Sequence, residues 1–94
     1  MYYKAYQSLK AQHPDAIVFL RLGDFYEAFD EDAQIASDDA DLIVLTRKLS
    51  GETVKMCGFP YHAAYRCVSK LVKAGHRVAL CCPRHNDSHL QEAT

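Results

Sequence analysis

Tyr2, Ala5, Tyr6 and Leu9 recur at helical spacing, and Pro14 closes the pattern, so the periodicity predicts a first helix of about three turns over residues 1–12. The uninterrupted apolar run Ala16 to Leu20 follows. A run of this kind reads as a strand buried on both faces, in the middle of a sheet covered by helices. Gly23 then allows a turn or bulge, and Phe25 to Phe29 is expected to form a short second strand at the sheet edge. Asp30 is placed to cap the next helix, with Glu31 and Asp32 in its first turn against the helix dipole and Ala33, Ala36 and Ala40 as a thin apolar stripe.

Further on, Leu42 to Thr46 and Val54 to Cys57 are strand-like. The polar stretch from Arg47 to Glu52, with Gly51 inside it, is of hairpin length and gives a basic hairpin tip. Gly58-Phe59-Pro60 reads as a break, after which Ala64, Val68, Leu71 and Val72 share one face of a helix that Gly75 terminates. Arg66, Lys70 and Lys73 lie on the other side of that helix. Val78 to Cys82 makes a last strand, ended by Pro83. Residues 1–83 therefore form one domain, and 84–94 are expected to be a polar tail that is flexible or only loosely docked.

A chain of 94 residues, 49% apolar and 24% charged, holds one modest core and has the balance of an ordinary soluble protein. The longest apolar run is far too short to span a bilayer, and the first helix carries Lys4, Gln7 and Lys10 where a signal peptide would be apolar. A cytoplasmic location is expected. Cys57, Cys67 and Cys81 stand in apolar contexts and read, with Cys82, as reduced residues. The spacing of Cys82, His85 and His89 is the nearest approach to a metal-ligand set, and no second cysteine pair completes it, so no metal is expected.

The net charge of -1 conceals a separation. Asp24 to Asp41 contains eight acids and no base, while Arg47 to Arg84 contains eight bases against the single acid Glu52. Such asymmetry fits either a phosphate-facing surface or a solvated face. There is no phosphate-binding Gly-rich loop, and Asp24 and Glu27 lack the nearby lysine and further ligands of a nuclease site, so no enzyme is expected.

Phe25 and Glu27, two apart in an extended segment, project from one face while Tyr26 projects from the other. An apolar wedge beside a hydrogen-bonding carboxylate suits insertion of a ring between stacked bases with inspection of the base edge exposed. The same alternation occurs in half-buried strands.

Taken together, Tyr6-x-x-Leu9-Lys10, His13-Pro14-Asp15, the run from Arg21 to Phe29, Leu45-Thr46-Arg47, Gly58-Phe59-Pro60-Tyr61-His62-Ala63 and Lys70-Leu71-Val72 resemble the N-terminal mismatch-recognition domain, domain I, of the MutS family. The similarity runs from Met1 to about Cys82. It departs from the family pattern at Leu22, Cys57 and Phe59, where Met, a small Ala and an aliphatic residue are usual, and after Thr46, where the connection is shorter.

The resemblance implies an α+β fold in which a mixed sheet of five to six strands is flanked by about three helices. It also implies double-stranded DNA with mismatches or small loops as partner, Phe25 as the inserted ring and Glu27 as the base contact. Arg21, Arg47, Lys48, Arg66, Lys70 and Lys73 are the candidate phosphate contacts. Full family members continue into connector, lever, clamp and ATPase domains and encircle DNA as dimers. ATP and magnesium would belong to those domains, and no cofactor is expected of these 94 residues. Other MutS-type domains or repair proteins are further candidate partners. The alternative reading is a protein-interaction module, in which the acidic stretch docks on a basic partner with Phe25 as anchor.

Overall fold

The computed structural model describes residues 2–49 and 51–82, together with the backbone of 87–91. Helix α1 (Tyr2–Gln12) precedes strands β1 (Ala16–Leu22) and β2 (Phe25–Phe29), helix α2 (Asp30–Ala40), strands β3 (Leu45–Leu49) and β4 (Glu52–Pro60), a 3₁₀ turn at Tyr61–Ala63, helix α3 (Ala64–Lys73), and strands β5 (Arg77–Cys82) and β6 (Asp87–Gln91). The six strands form one mixed sheet in the order β3-β4-β2-β1-β5-β6, antiparallel except for the β1–β5 pair.

Strand alternation divides the core into two layers. Ile17, Phe19, Ala28, Cys57, Phe59 and Val78 face α2 and α3, which contribute Ala33, Ala36, Ala40, Cys67, Val68 and Leu71. Val18, Leu20, Phe29, Val54, Met56, Ala79 and Cys81 face the opposite side, where α1 contributes Tyr6. Ala16 to Leu20 are all buried, as a doubly covered central strand requires. Cys57, Cys67 and Cys81 are buried free thiols, and burial pushes the Cys57 thiol up to about 12 and that of Cys81 to about 11.

Several expectations are corrected. β2 lies inside the sheet between β1 and β4, because β4 runs on through Gly58 and Phe59 to Pro60 and pairs with it along its whole length. Pro60 is the last residue of that pairing, opposite Phe25, where a missing N–H costs least. β3 begins at Leu45 and runs to Leu49, so Arg47 and Lys48 are strand residues and the hairpin tip is the two-residue connection between Leu49 and Glu52. Gly51 within it has φ +82. The tail contributes β6, paired antiparallel with β5, where the polar composition of 84–94 had suggested loose docking.

Asp30 does not cap α2. It adopts φ +56 and its carboxylate accepts a 2.7 Å hydrogen bond from the Tyr3 hydroxyl. The turn takes the chain out of the sheet after Phe29, and β1 pairs with β2 only from Leu20 to Leu22. Asp32, in the first turn of α2 and 3% exposed, fills the gap. Its carboxylate accepts from the Val18 N–H at 3.0 Å, the Tyr6 hydroxyl at 2.7 Å and Lys10 Nζ at 2.9 Å. One buried charge thus joins α1, α2 and the otherwise bare flank of β1, and it is stable there because both of its oxygens have donors.

Candidate nucleic-acid interface

The face that α1 covers is covered at one end only. An eleven-residue helix is about 16 Å long. Its tyrosines gather over Phe29, with ring centroids 6.0 Å (Tyr2), 5.5 Å (Tyr3) and 5.0 Å (Tyr6) away. Phe25, four residues along the same strand face and so about 13 Å distant, receives no such cover and is 48% exposed. A two-residue turn, Gly23-Asp24, raises it at the start of β2, with Gly23 at φ +62. The Asp24 carbonyl accepts a 2.7 Å hydrogen bond from the Tyr61 N–H, which ties the turn to the end of β4.

Glu27 lies between the exposed and the covered ends. It lines an open hollow of about 620 Å³ together with Phe25, Ile43, Leu45, Arg47 and Met56. Its Oε1 is buried with no hydrogen-bond partner. Burial raises the Glu27 carboxyl above its usual range, and the Arg47 guanidinium opposes that shift. Arg47 is itself steadied by a 3.0 Å hydrogen bond from its Nη1 to the Tyr2 hydroxyl. Arg47 thus stands on the same face as Phe25 and Glu27.

The other candidate bases stand elsewhere. Arg21 is on the α2–α3 face, where its guanidinium lies 4.5 Å from the Tyr61 ring centre and its Nε donates to the Gly23 carbonyl at 3.0 Å. It locks the turn beneath Phe25. Lys48, next to Arg47 in β3, alternates to that same opposite face. Arg66, Lys70 and Lys73 belong to α3, which packs on the side of the sheet away from Phe25, and Lys70 is 3.6 Å from Asp41. Charge counting along the sequence had grouped bases that the topology separates.

The hollow also contains residues that sequence reasoning missed. Ile43 and Leu45 are 78% and 56% exposed, although their run had read only as strand-like. Gly58, predicted as a breaker, faces Glu27 across the β2–β4 pair. Nothing short of the strand register announces either. Among the described residues no cluster of His, Cys, Asp or Glu could hold a metal, and no helix is long and apolar enough to cross a membrane. His85 and the side chain of His89 lie outside the described residues, and so does the proposed set with Cys82.

A mixed sheet that bares an aromatic ring, an unpaired carboxylate and one arginine on a single face defines a small binding domain. The family model for MutS domain I matches residues 2–93, and the chain belongs to that family. Over 78 residues it is 47% identical to the DNA mismatch repair protein MutS of Pelotomaculum thermopropionicum, covering 83% of this chain. The protein of the same name from Desulforamulus reducens is 51% identical over 81% of the chain, and that from Myxococcus xanthus 47% over 83%. The chain spans about 9% of the length of these relatives.

Proposed function

We propose that this chain is a DNA-recognition module that inserts Phe25 at mismatched or unpaired bases while Glu27 contacts the base displaced. The observation that carries the reading is the pairing of an exposed ring with a buried, unpartnered carboxylate oxygen on a part of the sheet face that α1 leaves bare. Unstacking a base step costs a few kcal/mol and costs least where pairing is already broken, so the wedge selects deformable sites. Glu27 adds discrimination of a second kind. Desolvation of its Oε1 has been met during folding, and burial makes the carboxyl hold a proton more tightly than usual, which lowers the cost of taking one up to donate to a base acceptor instead of repelling phosphates.

The protein-interaction alternative needs a free acidic stretch, and five of the eight carboxylates of that stretch have partners within the chain. Asp32 is buried, Asp30 receives the Tyr3 hydroxyl, Asp38 receives Gln34 Nε2, Asp39 meets His76 at 2.6 Å, and Asp41 is near Lys70. Of the candidate phosphate contacts, Arg47 shares the wedge face. Affinity of the isolated chain is accordingly weak and salt-sensitive, on the order of 10⁻⁴ to 10⁻⁶ M. Binding is the whole of its role in this reading, with no reaction of its own.

The test is titration of a matched duplex and a one-base-bulge duplex at low salt with wild type, Phe25→Ala and Glu27→Ala. The bulged duplex should bind more tightly to wild type, and each substitution should erase the difference. Equal affinities for wild type would end the proposal.

A further inference from the structure

Gly58 sits in the interior of β4 with ordinary extended backbone, unlike Gly23, Gly51 and Gly75, which have positive φ. Glycine inside a strand costs about 0.5–1 kcal/mol relative to alanine, so its presence there calls for a spatial reason. Its cross-strand partner is Glu27. A Cβ on Gly58 would lie 2.7 Å from the Tyr26 carbonyl oxygen and 3.3 Å from Glu27 Cγ. The Tyr26 backbone is the tighter obstacle, and the stem of Glu27 lies over the rest of the space that a side chain would fill.

We infer that Gly58 is a positioning residue for Glu27: by offering no side chain, it lets the glutamate recline across β4, where its Oε1 is shielded from water at the hollow beside Phe25. Two further features fit. The Glu27 carboxylate feels the Arg47 charge on β3, the strand beyond β4, and Oε1 is buried although the residue as a whole is only half-buried. A glutamate standing upright on the sheet would reach solvent and keep neither property. The consequence for base recognition rests on the proposed function above, whereas the consequence for the side chain does not.

The test is carboxyl-detected NMR on the full chain, joined to duplex titration. In wild type, Glu27 should titrate above the ordinary carboxylate range and its γ protons should show a nuclear Overhauser contact to the Gly58 α protons. In Gly58→Ala the midpoint should fall toward the ordinary range, and preference for a bulged over a matched duplex should drop on the order of tenfold, as for loss of a hydrogen bond to a chargeable group. Affinity of Gly58→Ala for the matched duplex should stay at the wild-type level, whereas a purely structural role would weaken binding to both duplexes. An unchanged Glu27 midpoint in folded Gly58→Ala overturns the inference. If Gly58→Ala does not fold, the wild-type contact decides, and its absence is equally fatal. Should wild type show no duplex preference while the midpoint moves as stated, the DNA reading fails and the role of Gly58 stands.

Discussion

Phe25 and Phe29 occupy the same face of the same five-residue strand, and nothing in their residue type distinguishes them. Phe29 is fully buried under three tyrosines of α1, while Phe25 is 48% exposed beside an unpartnered carboxylate. The contrast shows how the reach of a single short helix decides which end of one strand is buried, and under the proposed function it divides that strand between folding and recognition. Where α1 ends, apolar surface ceases to stabilise the chain and becomes available to a partner.

That division is broken most forcefully at the covered end. Phe29→Ala should destabilise the chain by about 3–5 kcal/mol, enough to unfold much of it, whereas Phe25→Ala should shift stability by about 0.5 kcal/mol or less. Urea denaturation of the two variants compares them directly, and similar losses would refute the division.

Next in size is the buried charge that fastens α1 in place. Asp32→Ala leaves the Val18 N–H without an acceptor and the Tyr6 hydroxyl with the Phe29 carbonyl alone, and should cost about 3 kcal/mol, while Lys10 partly recovers water. Asp32→Asn, which keeps one acceptor oxygen, should cost less. Thermal melts of both variants check the order.

A smaller effect distinguishes the open end. Burial raises the Glu27 carboxyl, so the folded chain holds that proton more tightly than the unfolded chain. Ionisation of Glu27 therefore removes stability as pH rises through the interval between the ordinary and the raised value. Glu27→Gln should be more stable than wild type at neutral pH and equal to it below the ordinary carboxylate range. Denaturant midpoints at the two pH values measure this, and a neutral-pH loss of stability on substitution would contradict the assigned cause.

The covered layer was the more legible in sequence. Helical spacing of Tyr2, Tyr6 and Leu9, the apolar run of β1 and the alanine stripe of α2 report burial directly, because each is a local pattern with one structural meaning. Neighbour relations are not local. Alternation placed Phe25 and Glu27 on one face, but it does not say which strand lies beside them, so β2 was expected at an edge and Gly58-Phe59-Pro60 was read as a break. Gly58 is a strand residue because β4 pairs with β2 straight through it, opposite Glu27, a fact carried by the register alone. The same blindness grouped Arg21, Lys48 and the α3 bases with Phe25, when alternation along β1 and β3 and the packing of α3 put them on the other side. In the tail, backbone pairing with β5 makes a strand that its composition does not advertise.

The central claim is that the uncovered end of β2 recognises deformed duplex through Phe25. Fluorescence titration at low salt, with matched and one-base-bulge duplexes of equal length, measures it most directly for wild type against Phe25→Ala. Tighter binding of the bulged duplex by wild type, with the difference abolished in a fully folded Phe25→Ala, is the predicted result. A preference that survives removal of the ring would contradict the account.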